Sequence, residues 1–327
     1  MACTVIISIQ PALMRAMADA MLHFVVFSFN RGDFLANCLA SLKRCAPDFP
    51  VLVIDDNSTD PGTINLLAEA KSHCTVIQPP RSDGKSHSKH GGLYGNLQLA
   101  LDTLSDEDLI CTVQDDMQLT RRVTSADAIA LEHWFAASAQ RGFVHHAFMK
   151  GSELRRNNIE YHELEQVYYN LRPGSSVGSW YSDIFIASVG RLRSCHWQFG
   201  GRESLNEQQA KNLFRPMAYW QNPFVAWLPA APTWRGKRRT LALRLGEKKH
   251  HCGLYPLEIL QGKAEQDFLS RSPDAQPYAE TYLHICEGVA GRLNVKTPWV
   301  YHPLQGSRWL KWLNSLELKL RKVAAVD

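Results

Sequence analysis

Leu109-Ile110-Cys111-Thr112-Val113 is an apolar run of strand length that ends, after Gln114, in two adjacent carboxylates, Asp115 and Asp116. A buried strand that stops in paired acids narrows the folds open to the chain, because open α/β sheets bind ligands outside the carboxyl ends of their strands. Two readings of the pair stand side by side. Asp is a favoured helix N-cap, so the acids can cap a following helix. Hard carboxylate oxygens can equally hold a divalent cation, which in turn holds a diphosphate.

Two earlier runs behave the same way. Phe24–Phe29 breaks at Asn30-Arg31-Gly32-Asp33, and Phe34, Leu35, Cys38, Leu39 and Leu42 then recur at helical spacing. Val51–Ile54 runs into Asp55-Asp56-Asn57-Ser58-Thr59-Asp60. Strand, helix and strand within one short stretch form a βαβ unit, so these strands are expected to be parallel. Further elements are expected as a helix over 63–72, a strand over 74–77, a helix over 93–104 and a helix over 127–138. In a parallel sheet the polar clusters Ser28–Asn30, Asp55–Asp60 and Asp115–Asp116 share one edge. The basic, glycine-bearing stretch 81–92 reads either as a solvated loop or as a flap that closes over a diphosphate.

With 327 residues, 45% of them hydrophobic, the chain has ample core for one large domain or two ordinary ones. A net charge of +4 suits an anionic ligand and does not single out nucleic acid. The eight cysteines include no C-x-x-C pair, which points away from a zinc cage or a disulfide framework and towards a reduced, cytoplasmic setting. Residues 1–21 are broken by Gln10-Pro11, Arg15 and Asp19. They read as an appendage that is too short for a membrane span, with Met21 a candidate start.

The segments VVFSFNRGDFLANCLASL, VLVIDDNSTD, GGLYGNLQLAL and LICTVQDDMQL, in this order, resemble the family 2 glycosyltransferases of the GT-A fold. The resemblance covers 22–120 well and runs more weakly to 255. It implies an α/β fold with a mostly parallel twisted sheet between helices, and domains at 1–21, 22–255 and 256–327. It also implies a nucleotide-diphosphate-sugar donor of the UDP-sugar type, a Mn²⁺ or Mg²⁺ ion, and transfer with inversion to a glycan or lipid-linked acceptor. By position, Ser28, Asn30, Asp56, Lys85 and Asp115 are the implied donor contacts, Asp56 accepting from the base. Asp116 is the implied metal ligand, in a Gln-Asp-Asp-Met sequence where Asp-x-Asp is commoner. His251, with His302 as its competitor, is the implied late metal ligand.

The same resemblance places an acidic base behind Gly200-Gly201. Glu207 falls where the family carries Glu-Asp, although its neighbour is Gln208; Glu203 and Asp183 are rivals. An inverting transfer needs one such carboxylate to deprotonate the acceptor hydroxyl. Trp227 and Trp234 read as core or as sugar-stacking rings, and Arg235–Arg239 as a solvated turn. The tail 307–326 reads as an amphipathic helix with Trp309, Trp312, Leu313, Leu316, Leu320 and Val323 on one stripe. Packing on the domain is its default, and peripheral attachment to the inner face of a membrane is the alternative. The competing functions are sugar nucleotidyltransfer and a non-catalytic nucleotide-sugar-binding domain.

Overall fold

The four expected runs form four parallel strands. In the computed structural model, which describes residues 21–79, 92–151, 159–174, 178–233, 239–290 and 299–323, these are β1 (Leu22–Ser28), β2 (Val51–Asp55), β3 (Thr75–Ile77) and β4 (Leu109–Gln114). Their order across the sheet is β3-β2-β1-β4, and β1 pairs in parallel with both β2 and β4. The connecting helices are α1 (Gly32–Cys45), α2 (Pro61–Ala70) and α3 (Leu93–Thr103). Such runs are apolar on both faces because a parallel sheet is covered on both sides. Phe24 and Val26 face the layer of Leu35, Leu39 and Leu42, while Val25 and Phe27 face that of Leu97, Ala100 and Leu101. Each such fully buried side chain contributes about 1.5–3 kcal/mol.

Beyond β4 the sheet becomes mixed. β5 (Met117–Leu119), α4 (Ser125–Ala136), β6 (Val144–His145), β7 (Ile159–His162), β8 (Val167–Asn170), β9 (Ile186–Ser188), β10 (Ala218–Trp220) and β11 (Val225–Trp227) follow. The nine-stranded order is β3-β2-β1-β4-β9-β6-β10-β8-β7, and β11 pairs separately and antiparallel with β5. Most paired residues of the large sheet are in parallel register, as expected. One reading is corrected here. No helix follows Asp115-Asp116: the two acids form the turn from β4 into β5, so they cap nothing. The polar stretch 147–170, which shows no clear period, contains the β7–β8 hairpin.

α5 (Val189–Ser194) and α6 (Glu203–Leu213) lead to β10, and α7 (Leu241–Lys249), α8 (Gly262–Leu269), α9 (Ala279–Tyr282), α10 (Glu287–Ala290) and α11 (Arg308–Val323) complete the described elements. The segment after 255 shares a core with the sheet. Leu257, Leu260, Phe268 and Leu283 pack with Phe34, Phe148, Ala226 and Leu228. Gln118 holds it further, donating to the Leu257 carbonyl at 2.6 Å and accepting the Leu257 N–H at 2.9 Å. No described helix is long and apolar enough to cross a membrane.

Candidate active site

The carboxyl ends of β1, β2 and β4 converge, and most of their polar residues are already engaged with one another. Asp55 is buried and turns the chain by accepting the Ser58 N–H (2.7 Å), the Ser58 hydroxyl (2.5 Å) and Gln78 Nε2 (3.1 Å). Asn30 adopts φ = 50°, a conformation that asparagine tolerates better than most residues. Its Oδ1 accepts the Thr59 and Asp60 N–H groups at 2.7 and 2.9 Å. It therefore ties the β1 end to the β2 end and braces the cluster. Ser28 is buried, and its carbonyl accepts the Asp56 N–H at 2.9 Å. Asp56 stays partly exposed, with Oδ2 accepting the Gly92 N–H at 2.9 Å at the entry to α3. Lys85 and Trp234 lie outside the described residues.

Asp115 and Asp116 share one cation, the Arg31 guanidinium. Arg31 is 7% exposed and donates to Asp115 Oδ1 at 3.2 Å and Asp116 Oδ2 at 2.7 Å. Its other Nη donates to the Pro232 carbonyl, and its plane lies 5.1 Å from the Phe34 ring. Asp115 also accepts the Phe29 N–H at 3.3 Å. Nothing in the sequence distinguished Arg31 from an exposed loop arginine, because its role arises only where strands far apart in the chain meet.

A cavity of about 180 Å³ opens beside this group, lined by Arg31, Asp116, Lys150, Trp227, Thr233 and Tyr301 among others. Trp227 is half-buried, with Lys150 Nζ 3.6 Å from its ring centroid and 5.3 Å from that of Tyr301. Lys150 is a second functional candidate that the sequence did not mark. On the other side of Arg31 and Pro232 lies a cavity of about 460 Å³ bounded by Asn30, Asp33, Asp60 and Leu66. A further cavity, of about 620 Å³, lies elsewhere, and its walls include the ion pairs Arg121 with Asp127 and Arg141 with Glu165.

The acidic residues behind Gly200-Gly201 separate into two roles. The Glu207 carboxylate accepts backbone N–H groups from Gly178 (3.3 Å), Ser179 (3.0 Å), Trp180 (3.1 Å) and Tyr181 (2.8 Å). It clamps a loop, and its lone pairs are spent on four amides. Glu203 opens α6 and stands near Asp183 and Tyr94. Burial first, then the charges of Asp183 and Glu207, push its carboxyl from the usual 4.5 up to about 7, with Lys150 opposing. Tyr94 donates to Asp183 Oδ2 at 3.3 Å, and burial followed by Asp183 and Glu203 raises its own pKa. Thr112 on β4 places Asp183, donating from Oγ1 to the Asp183 carbonyl at 2.9 Å. Glu203 thus feels the charge of the Lys150 that lines the Asp116 cavity.

Two carboxylates without a third protein ligand suit Mg²⁺ or Mn²⁺, which are commonly held by one or two carboxylates together with substrate phosphates and water. Asp116, with Asp115 behind it, fits that donor set. The expected late histidine does not join it. Among the described residues no group of three or more His, Cys, Asp or Glu side chains could hold a metal. His251 is exposed at the end of α7, where its carbonyl accepts from Tyr255 Oη at 2.6 Å. His302 accepts the Leu304 N–H on Nδ1. Neither is gathered with the acids, because the turn after α7 and the approach to α11 are packed by their own local contacts.

Residues 24–126 match the family model described as Glycosyl transferase family 2, so the resemblance read from the four motifs holds over that segment. No curated protein matches the chain. Among solved structures, Staphylococcus aureus TarS 1–349 is similar at 16% identity and a TM-score of 0.45, over 63% of this chain and 60% of that one. Glucosyl-3-phosphoglycerate synthase from Mycobacterium tuberculosis, in complex with Mg²⁺ and UDP, aligns at 18% identity and a TM-score of 0.41, over 76% of this chain and 86% of that one. The mannosyltransferase PcManGT from Pyrobaculum calidifontis aligns at 15% identity and a TM-score of 0.41, over 73% and 67%. The chain therefore spans about 60% of TarS 1–349.

Proposed function

We propose that this protein transfers a sugar from a uridine-diphosphate donor to an acceptor hydroxyl with inversion at the anomeric carbon. The observation that carries the reading is the gathering of Asp56, Asp115 and Asp116 at one strand edge, where Asp116 and Lys150 line a cavity and Glu203, its carboxyl raised to about 7, feels the charge of that lysine. Asp56, beside the entry to α3, is the candidate contact for the base, as the resemblance implied. Asp116, braced by Asp115 through Arg31, would hold the divalent ion, whose chemistry is to screen the diphosphate from the acidic strand end.

The chain's own residues supply the rest. Lys150 presents positive charge to the leaving diphosphate, where charge develops as the anomeric C–O bond breaks, while Arg31 holds the two acids in place. Trp227 and Tyr301 close the cavity around Lys150 with apolar rings. Glu203 takes the acceptor's proton as the new C–O bond forms on the opposite face. It suits that task better than Glu207, because a base has to be free to bind the proton, and a pKa near the working pH favours both halves of the transfer.

Donor binding and turnover test this together. A thermal-shift panel of nucleotides with and without Mn²⁺ is expected to single out uridine diphosphate and its sugars, with Asp116→Asn removing the metal-dependent part. Glu203→Gln is expected to keep donor affinity while turnover, measured as transfer or as slow donor hydrolysis, falls by roughly 10²–10⁴. Full turnover in Glu203→Gln with loss in Glu207→Gln would return the base to Glu207.

A further inference from the structure

The α11 helix is anchored on a narrower face than its sequence suggests. Leu310 is buried and Leu313 half-buried against Ala242, Leu243 and Leu304. Polar contacts along the same side complete the seam: Thr240 Oγ1 donates to Asn314 (2.6 Å), the Leu241 N–H to Glu317 (2.6 Å) and Arg321 to the Arg239 carbonyl (2.9 Å). The wide stripe is left in solvent, with Trp309 at 59% exposure, Trp312 at 66%, Leu316 at 40% and Leu320 at 61%. Leu241 and Leu245, 45% and 39% exposed, continue the apolar surface on the neighbouring α7. Burial of the whole tail stripe against the domain is thus corrected: only its edge is buried.

The charges around this surface are of one sign. α7 and α11 together carry eight basic and two acidic residues. Both acids are committed, Glu317 to Arg321 and Glu247 to Arg239. Arg244, Lys248, Lys249, Arg308, Lys311 and Lys319 are exposed beside the apolar stripe. Facing a second copy about a twofold axis, such a surface would meet its own positive charge. An anionic lipid surface meets both requirements, since indoles and leucines enter the headgroup boundary while lysines and arginines pair with lipid phosphates.

We infer that the exposed face of α7 and α11, centred on Trp309 and Trp312, docks the protein on an anionic lipid bilayer. The two helices are strapped to the candidate active site, because Thr233 on the cavity wall donates to Glu247 of α7 from its N–H (3.2 Å) and its hydroxyl (3.1 Å). Docking therefore sets the orientation of that cavity to the membrane plane.

Cosedimentation of the full chain with phosphatidylcholine vesicles, with and without phosphatidylglycerol, tests this without nucleotide or sugar, so its outcome is independent of the proposed transfer. Binding is expected only to vesicles containing phosphatidylglycerol, and to fade as salt screens the surface charge. Trp309→Ser with Trp312→Ser should weaken it by about tenfold or more, because both rings leave the boundary. Lys311→Glu with Lys319→Glu should remove binding to phosphatidylglycerol vesicles at an unchanged melting temperature, and this exposed pair decides the matter if the tryptophan variant does not fold. No binding to either vesicle, binding untouched by both pairs, or a wild-type dimer in light scattering that the tryptophan pair dissolves without any vesicle binding would each overturn the inference.

Discussion

Glu203 and Asp56 show how much of this site hangs on single side chains. Because folding holds the Glu203 carboxyl above its unfolded value, the native state keeps a proton that the unfolded chain has already released between about pH 4.5 and about 7. Stability therefore falls as pH rises through that window and stays lower above it. Glu203→Gln is expected to raise stability by about 1 kcal/mol at pH 8 but not at pH 4, once the solvent-exposed part of the residue is allowed for, and a melting temperature raised only at pH 8 checks it. Wild-type turnover should rise with pH and level off above about 7, a limb absent from the variant; an unchanged profile would remove Glu203 from the proton transfer. Gly92 tests Asp56 from the other side. A Cβ there would stand 2.1 Å from Asp56 Oδ1, so the carboxylate has to move. Gly92→Ala should weaken uridine diphosphate by the same ~1.5–3 kcal/mol as Asp56→Ala, the range for a hydrogen bond to a charged group. Wild-type affinity in calorimetry for both variants would leave Asp56 as a turn residue.

At the scale of elements, the loop before β9 is shaped by α6. Four amides from Gly178 to Tyr181 point at one carboxylate, and the chain two residues further on carries Asp183. Removing the acceptor leaves those N–H groups unmatched, so Glu207→Ala is expected to lower stability by about 2–4 kcal/mol. Glu207→Gln, which keeps one acceptor oxygen, should lose less. Turnover and melting temperature should fall in step across the two variants. A Glu207→Ala protein that melts normally but is inactive would mean that the carboxylate acts in the chemistry and not on the loop. The β4–β5 turn makes a related point: its two acids, Asp115 buried and Asp116 half-buried, are tolerable side by side because Arg31, just before α1, bridges them.

For the whole molecule, the described fold begins where β1 needs it to. Leu22 is fully buried, and the Met21 carbonyl accepts the Leu109 N–H at 3.0 Å. A chain starting at Met21 should retain that last pairing, fold, and bind donor with a melting temperature within about 4 °C of the full chain. Insolubility, or a larger fall on a differential scan, would show that residues 1–20 contribute to the core. At the other end, residues 256–290 supply Leu257, Phe268 and Leu283 to the core cluster around Phe148. A cut after 255 is therefore expected to unfold the neighbourhood of the candidate site.

The sequence by itself determined what local forces decide. Apolar runs of strand length alternating with helical spacing gave the βαβ order, and parallel pairing then put Ser28, Asp55–Asp56 and Asp115–Asp116 on one edge. The family resemblance in 24–126 was legible for the same reason, since its motifs are the strand ends themselves. Tertiary structure decided the rest, where a side chain's role depends on partners distant in the chain. Arg31 became the bridge of the acidic pair across 84 and 85 positions. Glu207 met a loop 26 to 29 residues earlier, and Glu203 gained its raised pKa from burial and then from the charges of Asp183 and Glu207. Lys150 lay in a stretch without period, so no pattern announced it. The tail stripe was legible as amphipathic, but periodicity states only that one face is apolar. Which face α7 covers, and that two tryptophans stay in water, follows from how the helices meet.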